Sequence, residues 1–291
     1  MSSIPSTIVF GSGLIGKRLH SEYQSQEIDT ILVGRSDGEV RIDLCNYDRR
    51  SLKIEAAAYN QVVFAAGIGD LQRCEREKTL TSRVNVENTI HLMEDLSDLG
   101  LQIIFLSSDR VFDGETGGYS VEDRPRPSTE YGRQKRAVEE YLESRCDNSI
   151  IIRLSKVYSN TPGDGSLLDQ CVSRLFEERP IPVAVDHVFN PTLLDDVISA
   201  IVKIQASGRA GLFHVCPHRH LSRFQLVSAI ASMVHVGGNL VQASTMADLV
   251  PAVRLPSKTW MIPYDAGLGL GFRDILEVAQ EFVKARMENA N

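Results

Sequence analysis

The segment from Thr7 to Gly16 constrains this chain more than any other. Thr7-Ile-Val-Phe10, a run of β-branched and aromatic residues, breaks into Gly11-Ser12-Gly13-Leu14-Ile15-Gly16, and the helix-period stretch Leu14 to Tyr23 follows without a gap. Strand, glycine turn and helix in that order open a βαβ unit that accepts a dinucleotide. The first glycine allows a tight turn, the second lets a pyrophosphate approach the backbone, and the third lets helix and strand pack closely. Free N–H groups at the helix start then attract the phosphates. Gly11, Ser12, Gly13, Leu14, Ile15 and Gly16 are therefore the first candidate cofactor residues. An ordinary tight β–α turn is the bland alternative.

The rest of the first half keeps the same rhythm. Thr30–Val33, Val40–Asp43, Gln61–Ala66, Gln102–Leu106 and Ser149–Arg153 read as strands, and Thr81–Leu99 and Glu130–Ser144 as helices. Such alternation predicts an α/β fold, a doubly wound parallel sheet of the Rossmann type with ligands at the carboxyl ends of its strands. Beyond residue 155 the pattern loosens into helices at Leu167–Glu178, Leu193–Ala206, Ser222–Val234 and Asp274–Arg286, with the strand Leu212–Cys216 between them. We expect a dinucleotide-binding Rossmann domain over residues 1–155. A smaller α/β substrate lobe over residues 156–291, interwoven with the end of the sheet, should follow.

Composition closes off other classes. The 291 residues are 43% hydrophobic and 24% charged, ordinary globular usage that excludes disorder and coiled coil. Thirty-one basic against thirty-eight acidic side chains give a net charge of -7, unsuited to nucleic acid or an anionic membrane. Five scattered cysteines with no C-x-x-C spacing fit a reducing compartment. His218 and His220 have no third ligand nearby, so no metal site is expected. The longest apolar run, Val62 to Gly69, is too short to span a bilayer, and the N-terminus has no basic, apolar leader. A cytoplasmic location is expected.

Two further clusters carry chemistry. After the second strand the chain has Gly34-Arg35-Ser36 and no acid until Asp37. A cation there suits a 2′-phosphate through paired N–H donors, so Arg35 favours NADPH over the alternative, NADH. Asp43 and Leu44 would hold and cover the adenine. Ser107-Ser108-Asp109 closes the fifth strand, and Tyr131-Gly-Arg-Gln-Lys135 opens the next helix. Tyr131 and Lys135, one turn apart, share a helix face. We expect the ammonium to favour the tyrosinate and to hold a ribose. Ser108 would polarise a carbonyl while Tyr131 supplies its proton.

With these residues in view, the chain resembles the extended short-chain dehydrogenase/reductases, and among them the dTDP-4-dehydrorhamnose reductase group. Leu106-Ser-Ser-Asp-Arg-Val-Phe-Asp-Gly114 is similar to that group's S-T-D-x-V-F-x-G segment, with Ser108 at the catalytic Thr/Ser position and Tyr131 and Lys135 on the catalytic pair. Val84-Asn85 resembles the family's helix kink, and Ile152–Tyr158, Val185–Thr192 with Asp195-Asp196, and Gly211–Val215 resemble three later segments. Departures accompany the likeness. The glycine loop is one residue shorter than usual, and Phe64 replaces an Asn, although Ala65, Ala66 and Gly67 keep small residues beside the cofactor. Arg110 stands where the group has Tyr, and Lys156 where it has Trp; two cations there suit a more anionic substrate.

The resemblance implies an oxidoreductase that passes hydride from NADPH to a nucleotide-activated keto-deoxysugar. Ser108, Asp109, Arg110, Lys156, Asn190 and Arg254 would meet the substrate, with Lys258 a further candidate for its diphosphate. A homodimer is compatible with family precedent. Two rival readings stay open: an NAD-dependent epimerase or dehydratase with Asp109 as acid/base, and a non-catalytic regulatory subunit of the methionine adenosyltransferase β type.

Overall fold

Parallel strands buried on both faces read as near-continuous apolar runs, and β1 (Thr7–Phe10) is the first of them. The structure, a computed structural model, describes residues 4–51, 58–235, 238–251 and 255–288. After β1 the chain forms α1 (Leu14–Ser25), β2 (Thr30–Gly34), β3 (Val40–Arg41), β4 (Gln61–Phe64), α2 (Leu71–Arg76), α3 (Lys78–Ser82) and α4 (Asn88–Asp98). Next come β5 (Gln102–Ser108), α5 (Glu130–Arg145), β6 (Ile150–Leu154), β7 (Val157–Tyr158), α6 (Leu167–Phe176), β8 (Ile181–Ala184), β9 (Val188–Phe189) and β10 (Thr192–Leu193). The chain ends through α7 (Leu194–Ala206), β11 (Gly211–Val215), β12 (Leu221–Ser222), α8 (Arg223–Val234), β13 (Val241–Ser244), α9 (Met246–Leu249) and α10 (Ile275–Glu288).

The main sheet has seven strands in the order β11-β6-β5-β4-β1-β2-β3, with every pairing parallel. Strand order reverses between β1 and β4, so the crevice beyond their carboxyl ends is where a doubly wound sheet takes its ligand. One face packs Ile8, Val62 and Phe105 against Leu92 and Leu96 of α4 and Val138 and Leu142 of α5. The other packs Val9, Val63 and Ile104 against Leu19 of α1 and Ile198 and Ile201 of α7. Each such aliphatic side chain contributes about 1.5–3 kcal/mol of burial. A separate core, with Leu168, Val183, Phe189, Leu226, Ile230 and Phe282, fills the later part of the chain. Yet β11 and α7, both beyond residue 155, return to the main sheet. No helix among the described residues is long and apolar enough to cross a membrane.

The strands expected over Val40–Asp43 and Gln61–Ala66 are shorter, ending at Arg41 and Phe64, and the long helix differs more. The helix expected over Thr81–Leu99 begins earlier, at Lys78, and a π-helical turn, Arg83–Glu87, separates α3 from α4. Asn85 lies in that turn. Its side chain accepts from Ile68 N at 2.7 Å and donates to Ile68 O at 3.0 Å, anchoring the turn to the loop after β4. A single-turn π segment of this kind often marks a functional position.

Candidate functional site

The glycine turn forces β1 and α1 together. A Cβ on Gly16 would lie 1.7 Å from the Gly11 carbonyl oxygen, so only glycine permits this approach. Gly13, by contrast, has nothing within 4 Å of where its Cβ would point. No side chain caps α1 among the described residues, so its first amides face open space that fits a pyrophosphate. A cleft of about 450 Å³ opens there. It is lined by Gly11, Ser12 and Gly13, by Arg35 after β2, by Asp43 and Leu44 after β3, and by Ala65, Ala66 and Gly67 after β4. Gly16 is buried beneath the turn and Leu14 is exposed at the helix start, and neither lines this cleft. One oxygen of Asp43 is occupied, accepting from Cys45 N at 3.0 Å. Arg73 of α2 also lines the cleft, a cation that no local pattern marked out.

A second cavity, about 240 Å³, shares Ala65, Ala66, Gly67 and Gly69 with the first and adds Ile15, Ser108, Tyr131 and Lys135. Local structure explains the meeting. Thr129 caps α5, its hydroxyl accepting from Gly132 N at 3.1 Å. A Cβ on Gly132 would stand 2.1 Å from Arg110 O, so its hydrogen side chain lets the start of α5 press onto the turn after β5. Tyr131 is thereby brought into the same cavity as Ser108. The Ser108 hydroxyl also donates to Asp109 Oδ1 at 2.9 Å and accepts from Arg110 N at 3.2 Å.

The electrostatics reverse one sequence expectation. Burial and the Asp109 carboxylate hold the Tyr131 phenol above its ordinary pKa, against smaller opposing effects from Arg110 and Ser108. Lys135 does not draw the phenol toward its anion. Its Nζ donates instead to Leu106 O at 2.8 Å and stands 5.9 Å from the centre of the Tyr131 ring. Burial pushes the Lys135 ammonium down to about 8, with Glu139 working against the shift. At neutral pH Tyr131 is a phenol carrying its proton, as an acid must be. Behind this pair lies Gln134, which accepts from Asn85 Nδ2 at 2.7 Å and so ties α5 to the π turn.

Beneath Ser107 and Ser108 sits a buried ionic network. Arg153 of β6 donates to both oxygens of Glu139, at 2.9 and 2.8 Å. Glu139 also accepts from Ser107 Oγ at 2.6 Å and from Arg136 at 3.1 Å. His214 of β11 approaches Arg153 at 3.3 Å, and burial and the nearby guanidinium push its pKa down to about 4.

A third cavity has a volume of about 400 Å³. Asp109, Arg110 and Lys156 line it, next in sequence to Ser108 and Ser155 of the Tyr131 cavity. Besides Gln170, the polar residues Arg174 of α6, His187, Arg223 of α8 and Thr259 also line it. These four come from separate segments with no shared spacing, which is why sequence reasoning missed them. Asn190 requires a correction. It is fully buried, donating to Pro217 O at 2.9 Å and Met261 O at 2.8 Å and accepting from Met261 N at 3.3 Å, so it braces loops and does not face a substrate. Lys258 is exposed outside the cavity, and Arg254 lies outside the described residues. Among the described residues no His, Cys, Asp and Glu group is arranged to hold a metal.

Known proteins resemble this chain in sequence and fold. The family model described as RmlD substrate binding domain matches residues 7–268. The Haloferax volcanii protein named "Probable low-salt glycan biosynthesis reductase Agl14" is 29% identical over 250 residues, covering 84% of this chain and 80% of its own. The crystal structure of a hypothetical dTDP-4-dehydrorhamnose reductase from Sulfolobus tokodaii superposes with a TM-score of 0.80 at 26% identity, covering 94% of this chain and 98% of that one. The dTDP-4-dehydrorhamnose reductase of Bacillus anthracis, solved in complex with NADP, has the same fold, with a TM-score of 0.82 at 20% identity and 96% and 99% coverage.

Proposed function

From the premise that this chain belongs to the RmlD substrate binding domain family, of the extended short-chain dehydrogenase/reductase type, we propose that it uses NADPH to reduce the keto group of a nucleotide-activated deoxysugar. One observation carries this reading: Ser108, Tyr131 and Lys135 share a cavity that is continuous with the glycine-turn cleft on one side and adjoins a cationic cleft on the other. Cofactor, reacting carbonyl and nucleotide sugar fit that order along the strand ends. In this reading residues 1–155 hold the cofactor and residues 156–291 contribute the sugar-nucleotide side.

When bound, the reduced nicotinamide would supply the hydride that reaches the carbonyl carbon. The chain's own residues then have defined tasks. Gly11, Ser12 and Gly13 receive the pyrophosphate, and Arg35 takes the 2′-phosphate through charge-assisted hydrogen bonds. Ser108 orients the carbonyl oxygen, and the protonated Tyr131 hydroxyl gives that oxygen its proton as negative charge develops. The tyrosinate left behind regains a proton from solvent. Lys135, cationic below about pH 8, holds ribose hydroxyls.

The test is NADPH oxidation with a panel of nucleotide-activated keto-sugars, wild type beside Tyr131→Phe. Turnover in the wild type and its loss in the variant are expected. Full activity in the variant would refute the role of Tyr131. Turnover without added reductant, by protein that purifies with bound NAD⁺, would replace reduction with epimerisation or dehydration.

A further inference from the structure

Resting on the reading above, we propose that the sugar reduced here carries a carboxylate of its own, gripped by Arg110, Lys156 and Arg223. Position supports this first. The Arg110 Nε stands 4.0 Å from the same Asp109 oxygen that receives the Ser108 hydroxyl at 2.9 Å. The guanidinium is thus within about one sugar ring of the hydroxyl that would meet the carbonyl. Lys156 neighbours Ser155, which lines the Tyr131 cavity. Both cations therefore stand where the sugar ring sits, with Arg223 close by across the cleft.

Charge counting supports it second. Arg110, Lys156, Arg174 and Arg223 line the cleft, and Asp109 is the one carboxylate among its described lining residues. Neither Lys156 nor Arg223 has an ion-pair partner among the described residues. A diphosphate bridge, with one negative charge on each phosphoryl group, leaves a single positive charge unmatched. A carboxylate matches it, whereas a phosphate monoester, at about −1.5 to −2, overshoots. Like charges held together in a cleft focus potential onto an anionic ligand. Here the crowding is felt: Arg223 and Arg110 add to desolvation in lowering the Lys156 pKa.

Unpartnered polar atoms supply the third support. His187 Nε2 and Thr259 Oγ1, both buried in this lining, have no hydrogen-bond partner among the described residues. Buried polar groups are rarely left so, and a ligand is one explanation when they line a cleft. His187 stacks on Phe189 at 5.0 Å, and burial with three surrounding cations keeps it neutral, so it can offer one N–H without adding charge. Together with the Thr259 hydroxyl it suits the oxygens of an acidic sugar.

The experiment is calorimetric titration of the full chain, saturated with NADPH, using UDP-glucose, UDP-glucuronate and UDP, and the same three with dTDP. The two sugars of each pair differ only in hydroxymethyl against carboxylate. Tighter binding of the glucuronate by about tenfold is expected, and the preference should vanish in Lys156→Met and in Arg223→Met. Retained NADPH affinity in each variant reports intact folding. Equal affinity for the two sugars in the wild type would overturn the inference and leave the reductase reading standing. So would a loss of UDP affinity in Lys156→Met as large as the loss of UDP-glucuronate affinity, since the cations would then serve the diphosphate. If NADPH binds but no nucleotide or nucleotide sugar does, the nucleotide-sugar reading itself fails and this inference with it.

Discussion

Two charged clusters flank Ser108, and they are built in opposite ways. Beneath it, Arg153 and Glu139, 1% and 0% exposed, satisfy one another through two hydrogen bonds, and Ser107, Arg136 and His214 take up the remaining valences. In front of it, Arg110, Lys156 and Arg223 line one cleft with a single carboxylate, and His187 Nε2 has no hydrogen-bond partner among the described residues. The first cluster ties β5, β6, α5 and β11 into one frame. Among the described residues, the second has only Asp109 to offset its cations. A buried charge that is fully paired positions the backbone, whereas a surplus lining a cleft is the mark of a ligand surface.

Substitutions can break this contrast, and the largest effect should fall between the clusters. Tyr131→Phe is expected to lower turnover by about 10²–10⁴-fold with NADPH affinity nearly unchanged, as measured by steady-state kinetics and titration. Next is the paired cluster itself. Arg153→Met strips the buried Glu139 carboxylate of its two-bond partner, leaving it only Arg136 and Ser107, and should cost about 3 kcal/mol of stability in denaturant unfolding. Lys156→Met, in the unpaired cluster, should change stability by no more than about 0.5 kcal/mol. A large loss there would mean that Lys156 is structural after all.

Titration separates the two roles of Lys135. Its pKa is about 8 in the folded chain, below its ordinary 10.5, so between those values the unfolded state binds more protons and stability rises with pH. Activity should move the other way, falling as the ammonium discharges above about pH 8. Opposite slopes of melting temperature and kcat would show that the lysine costs stability while serving chemistry. The smallest effect lies at acid pH. His214 titrates near 4 instead of 6.5, so its contribution to stability declines as pH falls across that window, and His187 shifts in the same direction. Thermal melts at descending pH would reveal a gradual decline, and a flat profile would count against both burials.

The sheet was readable because its central strands carry apolar runs such as Ile8–Phe10, Val62–Phe64 and Ile150–Ile152, and the glycine turn and the Tyr131–Lys135 spacing marked the candidate cofactor and acid positions on it. Other features depend on what a side chain meets in space. Asn190 looks equally able to bind a sugar or brace a loop until Pro217 and Met261 are seen to occupy it. The π turn at Asn85 needs Ile68 to anchor it. Arg174, His187, Arg223 and Thr259 converge only because α6, α8 and the loops beside β9 fold around one cavity. The direction of the Tyr131 shift follows from burial and from Asp109, neither of which spacing encodes.

Crystallography of the protein soaked with NADPH tests the central claim most directly. The account predicts the nicotinamide in the cavity bounded by Gly67, Ser108, Tyr131 and Lys135, with the 2′-phosphate at Arg35. A cofactor bound with its nicotinamide turned away from the Tyr131 hydroxyl, or bound elsewhere on the molecule, would contradict it.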